Sequence, residues 1–139
     1  MTAAPVTGSL PERHVTMRAI ALTGADPTRP FIELETQAGR LSGFWRGATA
    51  VGRGASVDVE LELPRVRTRS EVVVGPLGDL APGMVRGVVT TVLEDCVIVL
   101  EIGGALLQVE FDTDGPSPEI VGATVEFMAE DLEFYPTGV

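Results

Sequence analysis

At 139 residues the chain fits one ordinary domain or two very small ones, and its 45% hydrophobic content with mean hydropathy of +0.26 supplies a core and excludes compositional disorder beyond the N-terminal stretch. The formal net charge of −10 is uneven: residues 1–70 hold nine arginines against seven acids, a net of +2, whereas residues 71–139 hold one against thirteen, a net of −12. The second half would repel phosphate backbones and anionic lipid, so any surface for nucleic acid belongs to the first half.

Residues 1–12, "MTAAPVTGSLPE", keep no sustained period and are expected to form an arm. "HVTMRAIAL" (14–22) is rich in apolar and β-branched residues and predicts a first strand. "VDVELEL" (57–63) alternates strictly, with Val57, Val59, Leu61 and Leu63 on one face and Asp58, Glu60 and Glu62 on the other, the period of a half-buried strand. "PRVRTRSEVVVGPLGDLAPG" (64–83) reads as a linker in which "EVVV" would be an extra strand covering a sheet edge and "PLGDLAPG" a loop. "VRGVVTTVL" (85–93) and "LLQVEFD" (106–112) predict further strands. "TVEFMAEDLEF" (124–134) does too, with a slip of phase near Met128–Glu130. The 16 Gly and 10 Pro fall between apolar runs, which favours many short strands over helices.

Three separated segments repeat at an offset of 68: "GASVDV" at 54 and "GATVEF" at 122, "MRAIAL" at 17 and "VRGVVT" at 85, "FIEL" at 31 and "VLEI" at 99. A common offset predicts internal duplication. The expected architecture is all-β, two tandem small barrels at 13–64 and 84–139 joined by 65–83, with closure removing exposed edges.

Over residues 84–136 the second copy resembles the OB-like TOBE barrels found behind some transport ATPases and in molybdate-binding proteins. The pattern is "RGVVTTVLEDCVIVLEIGGALLQVEF" followed by "VGATVEFMAEDLEFYPTG". The resemblance implies tandem OB-like barrels that bind small oxyanions at barrel or subunit interfaces. The Ser–Ala–Arg–Asn-type run of the small-protein members is missing: the corresponding stretches read "VTMRAI" and "GMVRGV", so no oxyanion-binding residue is assigned from it.

"GFWRGATAVGRG" (43–54) is the most suggestive stretch, gathering Phe44, Trp45, Arg46 and Arg53 among glycines. With Arg65, Arg67 and Arg69 these residues would form an Arg/aromatic face able to stack bases and hold phosphates. The plainer reading puts one aromatic in the core and leaves the arginines as solvated surface, and the small regional charge favours it. Glu126, Glu130, Asp131 and Glu133 would form an acidic face able to dock a basic partner. "DTDGPSPE" (112–119) begins like a calcium loop at Asp112, Asp114 and Gly115, but Pro116 and Pro118 make a hairpin turn the better reading. One histidine, His14, and one cysteine, Cys96, provide neither a catalytic constellation nor a standard zinc site, and Cys96 reads as a buried, inert thiol. No metal or cofactor is expected, and no stretch is long and apolar enough to span a bilayer.

The expectation is a cytoplasmic, non-catalytic binding module with a protein partner of basic character, in which homodimerisation is plausible. The alternatives are single-stranded nucleic-acid binding through the first barrel and small-ligand or oxyanion binding at the inter-barrel cleft.

Overall fold

The computed structural model describes residues 16–75, 77–93, 96–112 and 115–137. The expected arm, His14 and Asp114 lie outside the described residues. The strands are β1 (Thr16–Ala21), β2 (Phe31–Thr36), β3 (Gly39–Trp45), β4 (Ser56–Glu62), β5 (Val73–Val74), β6 (Met84–Leu93), β7 (Val97–Ile102), β8 (Ala105–Glu110), β9 (Thr124–Met128) and β10 (Glu133–Pro136).

Alternation decides which face each strand buries. In β2, Ile32, Leu34 and Thr36 turn inward and Phe31, Glu33 and Glu35 outward, and β7 repeats this with Ile98, Leu100 and Ile102 inward. Two-residue turns close both hairpins, Gln37–Ala38 after β2 and Gly103–Gly104 after β7. Gly103 and Gly104 take φ of 57° and 92°, the left-handed values that such a tight turn requires. Cys96 is not within a buried strand as expected: it is half-buried in the turn before β7, with φ of 64°.

The strands form two five-stranded sheets, so the chain is all-β as its sequence predicts. The first closes on itself in the order β1-β2-β3-β10-β4, with β4 pairing back onto β1. The second runs β5-β9-β6-β7-β8. A parallel bridge from Arg67 to Phe111 lays the segment leading into β5 against the end of β8. "EVVV" does cover an edge, because Val73 and Val74 pair with Glu126 and Val125 of β9. The inward residues of both sheets join in one hydrophobic cluster. Each fully buried Leu, Ile or Phe contributes about 1.5–3 kcal/mol.

β1–β4 and β6–β9 repeat one order of strands, and in each set the fifth strand comes from the other half of the chain. β5 follows β4 yet joins the second sheet. β10 follows β9 yet closes the first, between β3 and β4. The sequence reading keeps residues 84–139 together as one barrel, whereas their last strand belongs to the other sheet. The phase slip near Met128–Glu130 marks the place where the chain leaves one sheet for the other.

The repeat also has two offsets. Thr16 and Met84 begin equivalent strands, as do Ser56 and Thr124, at the expected 68. The hairpin turns, however, align Thr36 with Ile102 at an offset of 66, so "FIEL" matches "VIVL" (97–100) and Glu33 matches Val99. A slip of two residues leaves every side chain on its own face, so alternation cannot detect it.

The crossing into β10 demands a close approach at Gly43. A Cβ there would overlap the Leu132 carbonyl oxygen and come within 2.9 Å of the Phe134 ring. Gly43→Ala is therefore expected to destabilise the protein by at least about 1–3 kcal/mol, measured by urea denaturation, because backbone rather than a flexible side chain must give way.

Candidate functional site

The arginines and the acids singled out in the sequence meet one another. Arg46 donates to Glu133 at 2.7 Å, Arg65 to Glu130 at 2.8 Å, Arg67 to Asp131 at 2.5 Å, and Arg86 to Glu126 at 2.9 Å. Arg65 also reaches Glu71 at 3.1 Å. Each of the four acids of the expected docking face thus has an arginine of the same chain beside it. Arg53 and Arg69 are exposed and enter no ion pair among the described residues.

Most of these pairs lie near the surface, where each is worth at most about 1 kcal/mol. Arg67 differs, being 0% exposed. Its guanidinium donates to the carbonyl oxygens of Arg65 and Met128 and to both carboxylate oxygens of Asp131, and it lies 5.6 Å from the Phe127 ring centroid. Asp131 also accepts the Arg65 backbone N–H at 2.9 Å. The pair ties together the two segments that cross between the sheets, 63–67 on the way to β5 and 129–132 on the way to β10. Arg67 is the counterpart of Phe134. Arg67 C=O accepts from Asp112 N–H as Phe134 C=O accepts from Arg46 N–H, with Phe111 and Trp45 as the paired neighbours. Where the first sheet has a phenyl ring at this position, the second has a guanidinium whose Nε has no partner among the described residues. Partial burial pushes the Asp131 carboxyl up, but the bonds from Arg67 and Arg65 outweigh this and hold it below the usual range.

Phe44 and Trp45 separate across β3. Trp45 is 4% exposed, packs in the core, and donates its indole N–H to the Thr49 carbonyl at 3.0 Å. Phe44 lies half-buried on the outer face, edge-on to Phe31 with centroids 5.9 Å apart, and Arg46 covers it at 5.4 Å. One aromatic of the expected stacking face is therefore inside the barrel and the other is capped by a paired arginine.

The surface left open lies elsewhere. A groove of about 860 Å³ runs between the end of β4 and the outer face of β6, β7 and β8. Its floor is apolar, with Val97, Val99 and Leu106 half-buried and Leu93 exposed, and Leu63 and Pro64 stand on the opposite side. Glu60, Glu62 and Glu110 line it. None of the three has a side-chain hydrogen bond or ion pair among the described residues, and no lining residue is basic. A second cleft of about 720 Å³ holds Glu33, Arg40, Ser42 and Arg86, but Arg86 is already bound to Glu126 and to the Gly78 carbonyl. Among the described residues no group of His, Cys, Asp or Glu converges as metal ligands would, and no helix is long and apolar enough to cross a membrane.

The groove was missed in the sequence, although a signal exists. "VIVL" (97–100) and "LL" (106–107) are apolar on both faces, whereas the matching "FIEL" and "RL" carry Glu33 and Arg40 outward where Val99 and Leu106 stand. A strand apolar on both faces predicts that its outer face also covers something. Comparison with family models, curated proteins and solved structures finds no match to this chain.

Two outcomes follow from this geometry. Trp45→Ala should cost about 3–5 kcal/mol in a denaturation experiment, as removal of a core aromatic does, and Phe44→Ala markedly less. Asp131→Asn should cost about 3 kcal/mol by leaving Arg67 buried without its counter-charge. The native Asp131 pKa is lowered, so its contribution is complete above the ordinary aspartate value of about 3.9 and disappears as pH falls through the lowered one. The stability gap between wild type and Asp131→Asn should accordingly narrow on acidification below that ordinary value and stay flat above it.

Proposed function

We propose that the protein is a non-catalytic, cytoplasmic binding module built of OB-like barrels, and that it docks a basic stretch of another polypeptide in the groove between its sheets. The observation that supports this reading is the apolar floor of Leu93, Val97, Val99 and Leu106 lying open beside carboxylates that have no side-chain partner among the described residues. A rim of one sign selects a partner of the other. The groove volume falls in the range of ligand-binding clefts. With a formal net charge of −10, the chain as a whole would also attract a basic partner over distance.

Single-stranded nucleic-acid binding draws less support. Arg46, Arg65 and Arg67 are spent on Glu133, Glu130 and Asp131, and Trp45 is in the core. The groove itself carries no cation to meet a phosphate. The oxyanion reading draws little more, since Arg86 is engaged and Glu33 shares its cleft.

The test is fluorescence anisotropy with a labelled, capped peptide of alternating arginine and valine, against labelled oligothymidylate at the same low salt. The peptide should bind and the oligonucleotide should not. Neutralising Glu60, Glu62 and Glu110 together with Gln should weaken the peptide about tenfold, from roughly 0.5 kcal/mol for each exposed charge. Tighter binding of oligothymidylate than of peptide would overturn the proposal.

A further inference from the structure

We infer that the partner segment enters this groove as an added β-strand on the free edge of β8, which rests on the groove reading above and specifies its mode. β8 is the last strand in the order of its sheet. The two-residue Gly103–Gly104 turn sets Ala105 opposite Ile102, and Phe111 N–H donates to the Cys96 carbonyl at 2.8 Å. The odd-numbered residues from 105 to 111 therefore spend their backbone groups on β7. Those of Leu106, Gln108 and Glu110 point to the other side, towards the groove.

At one end this edge is already used. Glu110 C=O accepts the Arg67 N–H at 2.7 Å, and Asp112 N–H donates to Arg67 C=O at 3.0 Å, in a parallel pairing. The edge thus accepts a neighbouring chain wherever one lies beside it. Beyond Arg67 the neighbour turns away, because the Arg65 N–H is drawn to Asp131 and its guanidinium to Glu130 and Glu71. Among the described residues no strand pairs with β8 at Leu106 or Gln108.

The equivalent edge of β3 shows what is missing. There Phe44 N–H donates to the Leu132 carbonyl at 2.9 Å, and the same crossing chain packs directly over Gly43. The counterpart of Phe44 is Glu110, whose N–H has no backbone acceptor among the described residues. An open row of backbone donors and acceptors is a template for an extended chain. Main-chain bonds would supply affinity, and the alternate side chains would supply selection: apolar groups on the outer face against Leu106, basic groups on the other face towards Glu60 and Glu62. The partner is thus an extended segment with Lys or Arg at every second position and β-branched or small apolar residues between.

The experiment uses the full chain and the capped arginine–valine peptide, with two further peptides carrying backbone N-methyl groups on either the odd or the even residues. Methylation blocks hydrogen bonding along one edge only. One methylated isomer should bind at least tenfold more weakly than the parent and the other nearly as well. Amide hydrogen exchange at Leu106, Gln108 and Glu110 should slow on binding of the parent. Gln108→Pro, which removes an N–H that β7 does not use, should weaken the parent at least tenfold with little change in Tm. Parent binding that depends on the carboxylates, with equal binding of both isomers and no slowing at the three amides, would overturn strand addition and leave the groove reading standing. No binding of any peptide would overturn both. Slowing at those amides that rises with protein concentration alone would assign the edge to a second copy and overturn the partner proposed here.

Discussion

Two chain segments must pass each other between the sheets, and the rest of the architecture depends on how that crossing is held. One carries the chain from β4 into β5, the other from β9 into β10, and the Arg67–Asp131 pair fastens them. A buried charge is costly unless its partners are complete. Here they nearly are: two carbonyl oxygens, both oxygens of one carboxylate and the face of Phe127 surround the guanidinium, leaving only Nε unmet. A phenyl ring, Phe134, stands at the equivalent place in the closed first sheet, so an apolar side chain can fill this position. What the ion pair adds is direction. Its two N–H···O bonds set the guanidinium against both carboxylate oxygens, a directional constraint that an apolar contact does not impose.

The same crossing redistributes the charge of the molecule. By sequence the arginines belong to one half and most of the acids to the other, which suggests one basic and one acidic module. Because β10 returns to the first sheet, Glu133 arrives beside Arg46; because 63–67 runs into the second, Arg65 and Arg67 arrive beside Glu130 and Asp131. The two conspicuous clusters cancel one another at the seam. Among the described residues the groove gathers three carboxylates without ion pairs, Glu60, Glu62 and Glu110, none of which the sequence marks as a site, beside an apolar floor.

The departure of Arg65 from the path that Leu132 follows in the other half connects clamp and groove. The carboxylates that hold Arg65 pull the crossing segment off the β8 edge, while the tight passage over Gly43 keeps its counterpart on the β3 edge. One repeat thereby seals its barrel and the other leaves a slot. A near-symmetric pair of units acquires a single open site through a local difference in hydrogen bonding.

Sequence by itself determined the class of fold and the facing of the strand at 57–63. Alternation in "FIELET" and "VDVELE", glycines at the hairpin turns and the broken phase after Met128 are local properties, enforced by backbone sterics and by the two-residue period of a pleated strand. It also pointed to a repeated order of strands, although the hairpins sit at 66 rather than 68, because a shift of two residues preserves every face, and the last strand it placed in the second unit joins the first sheet. Only the tertiary structure decided which sheet receives β5 and β10, which of Phe44 and Trp45 lies inside, and which arginine meets which acid. Those outcomes depend on edge pairing and on the meeting of residues more than sixty positions apart, as with Arg67 and Asp131. Hydrophobic period carries no information about such pairings, since any inward-facing strand of the right length satisfies it equally well.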